Sequence, residues 1–380
     1  MQKKIIHQLS LSDIGGVQRS FSLYFMYALK KNYFHHRIYS MHDLISNFSS
    51  LGKYYNNINQ SLINKIKFIF FIFSKNYIIH FYNNLGSRSL NKILNIFPSS
   101  NIIFHERGAA WNAKDEDIKI YRSNVTNAKV VLANSNASKI MLNKRFGINK
   151  SKIKVIYNGF LNQNDNYILK NTKRYSKKFS IGYAGRLDTP KGVHVLIEAA
   201  KKLKKYDFFL AGNGPLKNLL KNLAKNNKNI HFVDRVKQPL DFISKMDIMV
   251  VPSIREPLGN IIIESGYCKK PVIATNVDGI PEIIENGVSG ILITPDKKLS
   301  FFKLPKNSVP IPKFVINPLT LKLQPPKEID PKKLCKYIIK LEKNSSLRKK
   351  YGEKLYKTVS KKFNIENYSK KLEVIYKNVC

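Results

Sequence analysis

The residues best suited to chemistry lie in Val251-Pro252-Ser253-Ile254-Arg255-Glu256-Pro257-Leu258-Gly259-Asn260-Ile261-Ile262-Ile263-Glu264. Pro257 and Gly259 mark a turn out of a strand, and helix character from Gly259 to Tyr267 puts Glu256 in a loop and Glu264 inside the helix. Five residues of helix rise about 7.5 Å. The two carboxylates therefore do not form a close acid/base pair; their spacing suits two grips on one extended, hydroxyl-bearing ligand. Between them, the amides of Leu258, Gly259 and Asn260 open the helix, where N–H groups without intrahelical partners favour an anion. Ile261, Ile262 and Ile263 put apolar bulk around Glu264, which argues against an ordinary surface glutamate.

A second constellation precedes it in FSIGYAGRLDTPKGVHVLIEAA, a strand ending at Gly185, a polar turn, and a helix from near Gly192. Arg186 and Lys191 bracket the turn. Two cations beside a helix N-terminus suit a diphosphate, Arg binding in bidentate fashion and Lys as a point charge. Taken alone, the turn is equally well read as carrying ordinary loop charges. The next strand runs into Ala211-Gly212-Asn213-Gly214-Pro215, where Gly212 and Gly214 would let backbone approach a ligand closely; a purely structural turn is an equal reading. Asp234-Arg235-Val236 follows a further strand, and the backbone of Arg235 and Val236 is placed to meet a nucleobase.

The elements that must position these residues are read from short apolar runs alternating with longer amphipathic ones. That pattern predicts repeated βα units and parallel sheets. Strands are expected at 4–11, 77–80, 102–105, 130–134 and 153–157, and again at 179–182, 207–211, 230–232, 248–251, 271–275 and 290–293. A helix is expected from near Gly16, with Phe21, Phe25, Ala28 and Leu29 on one face. With 380 residues, two domains are the better expectation: an N-terminal Rossmann-like domain over 1–161, completed by a C-terminal helix at 363–380; a polar linker at 162–178; and a second domain at 179–362. A Pro- and Lys-rich stretch at 295–331 resists helix or strand assignment and reads as an ordered excursion or a surface loop inserted in the second domain.

The formal charge of +41 invites a nucleic-acid or membrane reading. However, 55 of the 66 basic residues are lysine, spread along the chain at helical spacing, which describes solvated helix faces; an anionic membrane surface is the alternative kept open. A nucleic-acid binder would instead show clustered Arg with interleaved aromatics. Cys268, Cys335 and Cys380 are too far apart for a disulfide framework or zinc cluster, which favours a reducing, cytoplasmic setting. The N-terminus turns polar too soon for a signal peptide, and the most apolar run, Phe68 to Phe73, falls short of the roughly 20 residues of a span. Any contact with the inner face of a membrane is expected to be peripheral.

These residues resemble the family 4 glycosyltransferases, a retaining family of the GT-B fold. Glu256 and Glu264 match its E-x7-E signature, Arg186 and Lys191 its R/K pair, and VIATNVDGIPEIIENGVSGIL its continuation. The likeness extends to Gly15-Gly16, to HERGAAWN at 105–112 and to VIYNG at 155–159. Two departures stand out: Ser265 where Ala is usual, and Asp234 where Gly is common. The resemblance implies two Rossmann-like domains facing each other across a cleft and a nucleoside-diphosphate-sugar donor. Arg186 and Lys191 would neutralise its diphosphate, Glu264 hold the ribose, and Glu256 hold the transferred sugar. His105 would face that sugar, while Gly15 and Gly16 approach the phosphate or the acceptor. It further implies transfer to a glycan or lipid-linked acceptor in polysaccharide or lipopolysaccharide synthesis, with no cofactor and no metal. A nucleotide-sugar epimerase of the same fold is the alternative, and a basic nucleic-acid binder a more distant one.

Overall fold

The computed structural model describes residues 4–96, 101–161, 174–234, 236, 238–300 and 304–379. Two units emerge, Met1–Leu161 with Phe363–Cys380, and Asn162–Lys362. Most of the linker assignment, 162–173, lies outside the described residues. Its end does not: Tyr175 stacks on Phe209 at 5.2 Å, and Ser176 donates to Asp207 at 2.5 Å.

The first unit is a seven-stranded sheet built from β1 (Lys4–Gln8), β2 (His35–Ser40), β3 (Tyr55–Asn57), β4 (Tyr77–Tyr82), β5 (Ile102–Glu106), β6 (Val130–Ala133) and β7 (Ile153–Val155). Its order is β3-β2-β1-β4-β5-β6-β7, with every pair parallel. The second unit repeats the plan with β8 (Ser180–Ala184), β9 (Asp207–Ala211), β10 (Ile230–Val233), β11 (Ile248–Val251), β12 (Val272–Thr275) and β13 (Ile291–Ile293). Their order is β10-β9-β8-β11-β12-β13, again all parallel. In each sheet the order reverses at the first strand, a doubly wound arrangement that places ligands beyond the carboxyl ends of the strands at that point.

Three elements depart from the sequence expectation. Strands β2 and β3 and the helix Leu62–Phe73 occupy a region where no regular element is predicted. In its described residues the stretch 295–331 is the ordered excursion, the first of its two sequence readings. It contains an antiparallel pair, Val315–Ile316 with Leu323–Gln324, and buries Val315, Ile316 and Ile329. Glu328 accepts from Ser300 and pairs with His194 at 2.8 Å. Those bonds fix the excursion to the helix Val193–Lys202.

One face of the first sheet explains why β2 escapes a hydrophobic-pattern reading. His7, His36, His80 and His105 are all buried, and the register sets His7 opposite His80 and His105 opposite Tyr82. His7 Nε2 meets His36 Nδ1 at 2.9 Å, and Tyr376, on the helix Ile365–Val379, meets His80 Nδ1 through its hydroxyl at 2.7 Å. His80 and His105 stack at 5.4 Å. Burial is the first cause that pulls all four imidazoles down, His36 to about 4, with their mutual repulsion and Arg107 adding to it.

A histidine held neutral this way binds its proton more weakly folded than unfolded, where its pKa is about 6.5. Below that value the unfolded chain takes up more protons, so stability must fall with pH. His36, held at about 4, should by itself cost about 2 kcal/mol between pH ~6.5 and pH ~5. Urea midpoints measured at pH ~7.5 and pH ~5 should show a loss of at least about that size, since His7, His80 and His105 are shifted in the same direction. A flat profile would mean that the row is not buried as described.

Candidate active site

In the second unit, the loops leaving β8 and β11 are tied to each other. The carbonyl of Pro190 accepts the amides of both Ile254 (2.9 Å) and Arg255 (3.2 Å). Gly192 has φ +61°, and a methyl group there would run into the carbonyl oxygen of Pro252. Only glycine combines that backbone conformation with that approach. The turn Thr189–Lys191 is entered through Asp188, whose Oδ1 accepts from Thr189 N at 2.8 Å.

This stitching brings Lys191 and Glu256 together. Lys191 Nζ donates to Glu256 Oε2 at 2.6 Å, and Ser253 Oγ donates to the same oxygen at 3.2 Å. The carboxylate side chain is only 10% exposed. Its backbone is fixed from the other side, where Asp278 Oδ2 accepts from Glu256 N at 2.9 Å and Glu256 O accepts from Gly279 N at 3.1 Å. The second carboxylate oxygen of Asp278 takes the amide of Ile316 at 2.7 Å, so one side chain bridges the Glu256 loop and the 295–331 excursion. Tyr183 lies close enough that Glu256 and Asp188, after burial itself, push its phenol well up.

Arg186 is held differently from Lys191. Its Nε pairs with Asp188 Oδ2 at 3.1 Å while its side chain stays 56% exposed. The structure thus separates two cations that the sequence reading treats as one pair: Lys191 is fixed to Glu256, and Arg186 projects toward solvent from the same turn. Asp188 Oδ1 also accepts from Val309 N at 2.9 Å, a second tie between this turn and the excursion.

The remaining second-unit positions divide by role. The helix Asn260–Tyr267 starts at Gly259, with φ 107° and no side-chain cap, and the Gly259 carbonyl accepts the amide of Ile262 at 3.0 Å. Leu258 is buried at 1% exposure, and Asn260 and Glu264 are half-buried. Ser265, the departure from alanine, is fully buried and returns its hydroxyl to Ile261 O at 2.6 Å, so its polarity is satisfied within the helix. Gly212 and Gly214 lie against the carbonyls of Gly185 and Leu187, where a β-carbon would collide. Packing of neighbouring loops is sufficient reason for both glycines. Arg235 lies outside the described residues; Val236 is half-buried. Asp234 is exposed and paired with Lys217 at 2.7 Å, which holds its carboxyl below the usual range.

In the first unit, Gly15 caps the helix Gly16–Lys31 without a side-chain bond. A cavity of about 290 Å³ beside it is lined by Gln8, Ser10, Gln18, His42, Asn83 and Asn84, among others. These include residues at the ends of β1 and β4, the reversal point of that sheet. His105 is 1% exposed, and neither ring nitrogen has a hydrogen-bond partner among the described residues. The expectation of a metal-free site takes no account of Asp115-Glu116-Asp117, an Asp-x-Asp spacing in a short turn of this unit. Its carboxylates face Arg88, Lys114 and Arg145 at 3.0–3.8 Å.

Ser253, Asp188 and Asp278 are the supporting residues absent from the sequence reading. Asp278-Gly279 is a turn signal, and Leu187-Asp188-Thr189-Pro190 has the form of a helix cap. Neither pattern says which amide the carboxylate will find.

Residues 178–303 match the family model described as "Glycosyl transferases group 1". The capsular polysaccharide biosynthesis glycosyltransferase CapM of Staphylococcus aureus is 29% identical over 184 residues, 46% of this chain and 45% of that protein. The O-antigen biosynthesis glycosyltransferase WclY of Escherichia coli is 32% identical over 168 residues, 41% of this chain and 46% of that protein. The chain therefore spans less than half the length of these relatives. Among solved structures, Anabaena Alr3699/HepE in complex with UDP-glucose superposes with a TM-score of 0.77 at 17% identity, over 99% of this chain and 100% of that one. A glycosyltransferase from Rickettsia africae reaches 0.73 at 23% identity, over 100% and 98%. At these identities the superpositions speak to the fold, and the fold is GT-B. Residues 178–303, with the Lys191–Glu256 pair among them, are accordingly the part of the chain that is similar to the group 1 glycosyl transferases.

Proposed function

We propose that the chain is a retaining, family 4 glycosyltransferase that moves a sugar from a nucleoside-diphosphate-sugar to a glycan or lipid-linked acceptor, in the synthesis of a surface polysaccharide or lipopolysaccharide. The observation that carries the reading is the Lys191–Glu256 ion pair, held on two stitched loops beyond the carboxyl ends of β8 and β11. The helix that opens at Gly259 and bears Glu264 follows on the same segment. The names of the matched relatives, CapM and WclY, support the polysaccharide setting, and the UDP-glucose complex of HepE supports the donor class.

In this reading Glu256 orients the ammonium of Lys191 and accepts hydroxyls of the transferred sugar, while Glu264 takes the ribose. When the sugar–phosphate bond breaks, negative charge gathers on the departing diphosphate and the sugar becomes oxocarbenium-like. Arg186, Lys191 and the amides at the start of the Gly259 helix are set for that charge before the reaction, so little reorganisation is needed. Arg186 would exchange Asp188 for phosphate. The acceptor hydroxyl would attack the face from which the diphosphate leaves and pass its proton to that phosphate. Unlike a retaining glycosidase, the reaction then requires no second carboxylate at about 5 Å as nucleophile. His105, expected to face the sugar, is 1% exposed and packed on His80 and Tyr82, so this reading gives it no contact with the donor.

The test is a thermal-shift screen of nucleotide-sugars followed by transfer assays. The matching donor should raise Tm, and Glu264→Gln should weaken that shift by about tenfold in affinity or more. Arg186→Ala should chiefly lower kcat, by about 100-fold. Activity should persist in a chelator. Rapid epimer formation from donor without acceptor would overturn the reading.

Gly192→Ala should separate the scaffold from the charges. All the proposed ligand-binding side chains are retained, yet the methyl pushes the Lys191 turn away from Pro252. Transfer should fall on the order of 100-fold, with about 1–3 kcal/mol lost in urea unfolding. Unchanged activity would mean that the stitch does not set the site.

A further inference from the structure

The helix Leu62–Phe73, LINKIKFIFFIF, turns apolar side chains to both the core and the solvent. Its inner side is accounted for. Phe68 and Ile72 are buried, Phe68 stacks with Tyr39 at 5.7 Å, and Phe71 packs on Tyr77 at 4.4 Å. On the outer side Leu62, Ile63, Ile66, Ile69 and Phe70 are 72, 62, 58, 43 and 59% exposed. At 3.6 residues per turn these five fall within a stripe about 120° wide. Lys65 lies at one margin of the stripe and Lys67 at the other. An apolar stripe of this size facing water is unusual for a surface helix, which normally turns charge outward.

The charge around the helix points to its occupant. From Leu44 to His105 the chain has six basic residues and not one acidic residue. The helix itself carries no carboxylate to repel an anionic surface. Its 12 residues measure about 18 Å, short of the ~30 Å hydrocarbon core, so it cannot span one. The same length suits a helix lying in the plane of the interface, with its apolar side sunk among the acyl chains and lysines at the level of the headgroups.

We propose that Leu62–Phe73 docks the protein onto the surface of an anionic lipid bilayer, with Ile66 and Phe70 at the centre of the buried stripe and Lys65 and Lys67 on the headgroups. Apolar insertion and charge attraction act together, and neither alone gives stable attachment. The inference rests on no assumption about the reaction, and a failure of the transferase reading would leave it standing.

The test is co-flotation of the whole protein, without nucleotide-sugar, on vesicles of phosphatidylglycerol with phosphatidylcholine and on vesicles of phosphatidylcholine alone. The wild type should float with the anionic vesicles and stay behind with the neutral ones. The double variant Ile66→Glu, Phe70→Glu should lose recovery on the order of tenfold or more, with Tm unchanged because both side chains already face water. Lys65→Ala with Lys67→Ala should lose a smaller part and weaken the salt dependence. Phe70→Trp should keep binding and shift its emission to the blue only when anionic vesicles are added. Equal flotation on both vesicle types would overturn the proposal, as would full binding by the double variant. So would a concentration-dependent dimer that the double variant abolishes, since the stripe would then face a second copy of the chain.

Discussion

The carbonyl oxygen of Pro190 receives the amides of Ile254 and Arg255, and much of the second unit's chemistry follows from that contact. Two loops leaving neighbouring strands would otherwise diverge, each carrying one member of the ion pair. Tied at Pro190, and allowed to close by the missing side chain of Gly192 against Pro252, they present Lys191 and Glu256 at 2.6 Å. Such a pair, mostly withdrawn from water, lasts only where its remaining capacity is satisfied. Ser253 supplies one further bond to the carboxylate, and Asp278 holds the backbone beneath it. The two charges are thus positioned by backbone geometry more than by one another.

The first unit depends on a different constraint. Four buried imidazoles on one face of the sheet avoid charge; His7 and His36 bond to each other, His80 bonds to Tyr376, and His105 stacks on His80. Tyr376 comes from the last helix, so the end of the chain completes a polar set begun by its first strand. Most proteins fill such a face with aliphatic side chains. Here the packing is aromatic and imidazole-rich, with Phe21, Phe25 and Tyr82 around His7.

How far this was legible in the sequence follows from the kind of signal each element sends. β8, β9 and β11 are short apolar runs closed by glycine or proline, β12 is one opened by Pro271, and all are read correctly. So are the helix entered through Gly259 and the loop position of Glu256. β2 is hidden because His36 and Ser40 are inside, so its buried face does not look apolar. The helix Leu62–Phe73 is hidden for the opposite reason, since a stretch apolar on both sides has no contrast to give a period. The ion pair itself was beyond sequence. Arg186 and Lys191 look alike in a turn, and only the path of a second loop decides that Lys191 meets Glu256 while Arg186 meets Asp188.

Asp278 offers one carboxylate oxygen to Glu256 N and the other to Ile316 N, and Asp188 joins Thr189 to Val309. Two acids therefore join the 295–331 segment to the turns after β8 and β12. A segment rich in proline and lysine thus supplies an amide to the same Asp278 carboxylate that holds Glu256 N. Evolution could lengthen or trim an ordinary loop at that point without consequence. Here two points inside the excursion, Val309 and Ile316, are fixed to the loops that carry Lys191 and Glu256, so a change of length would be felt at that ion pair.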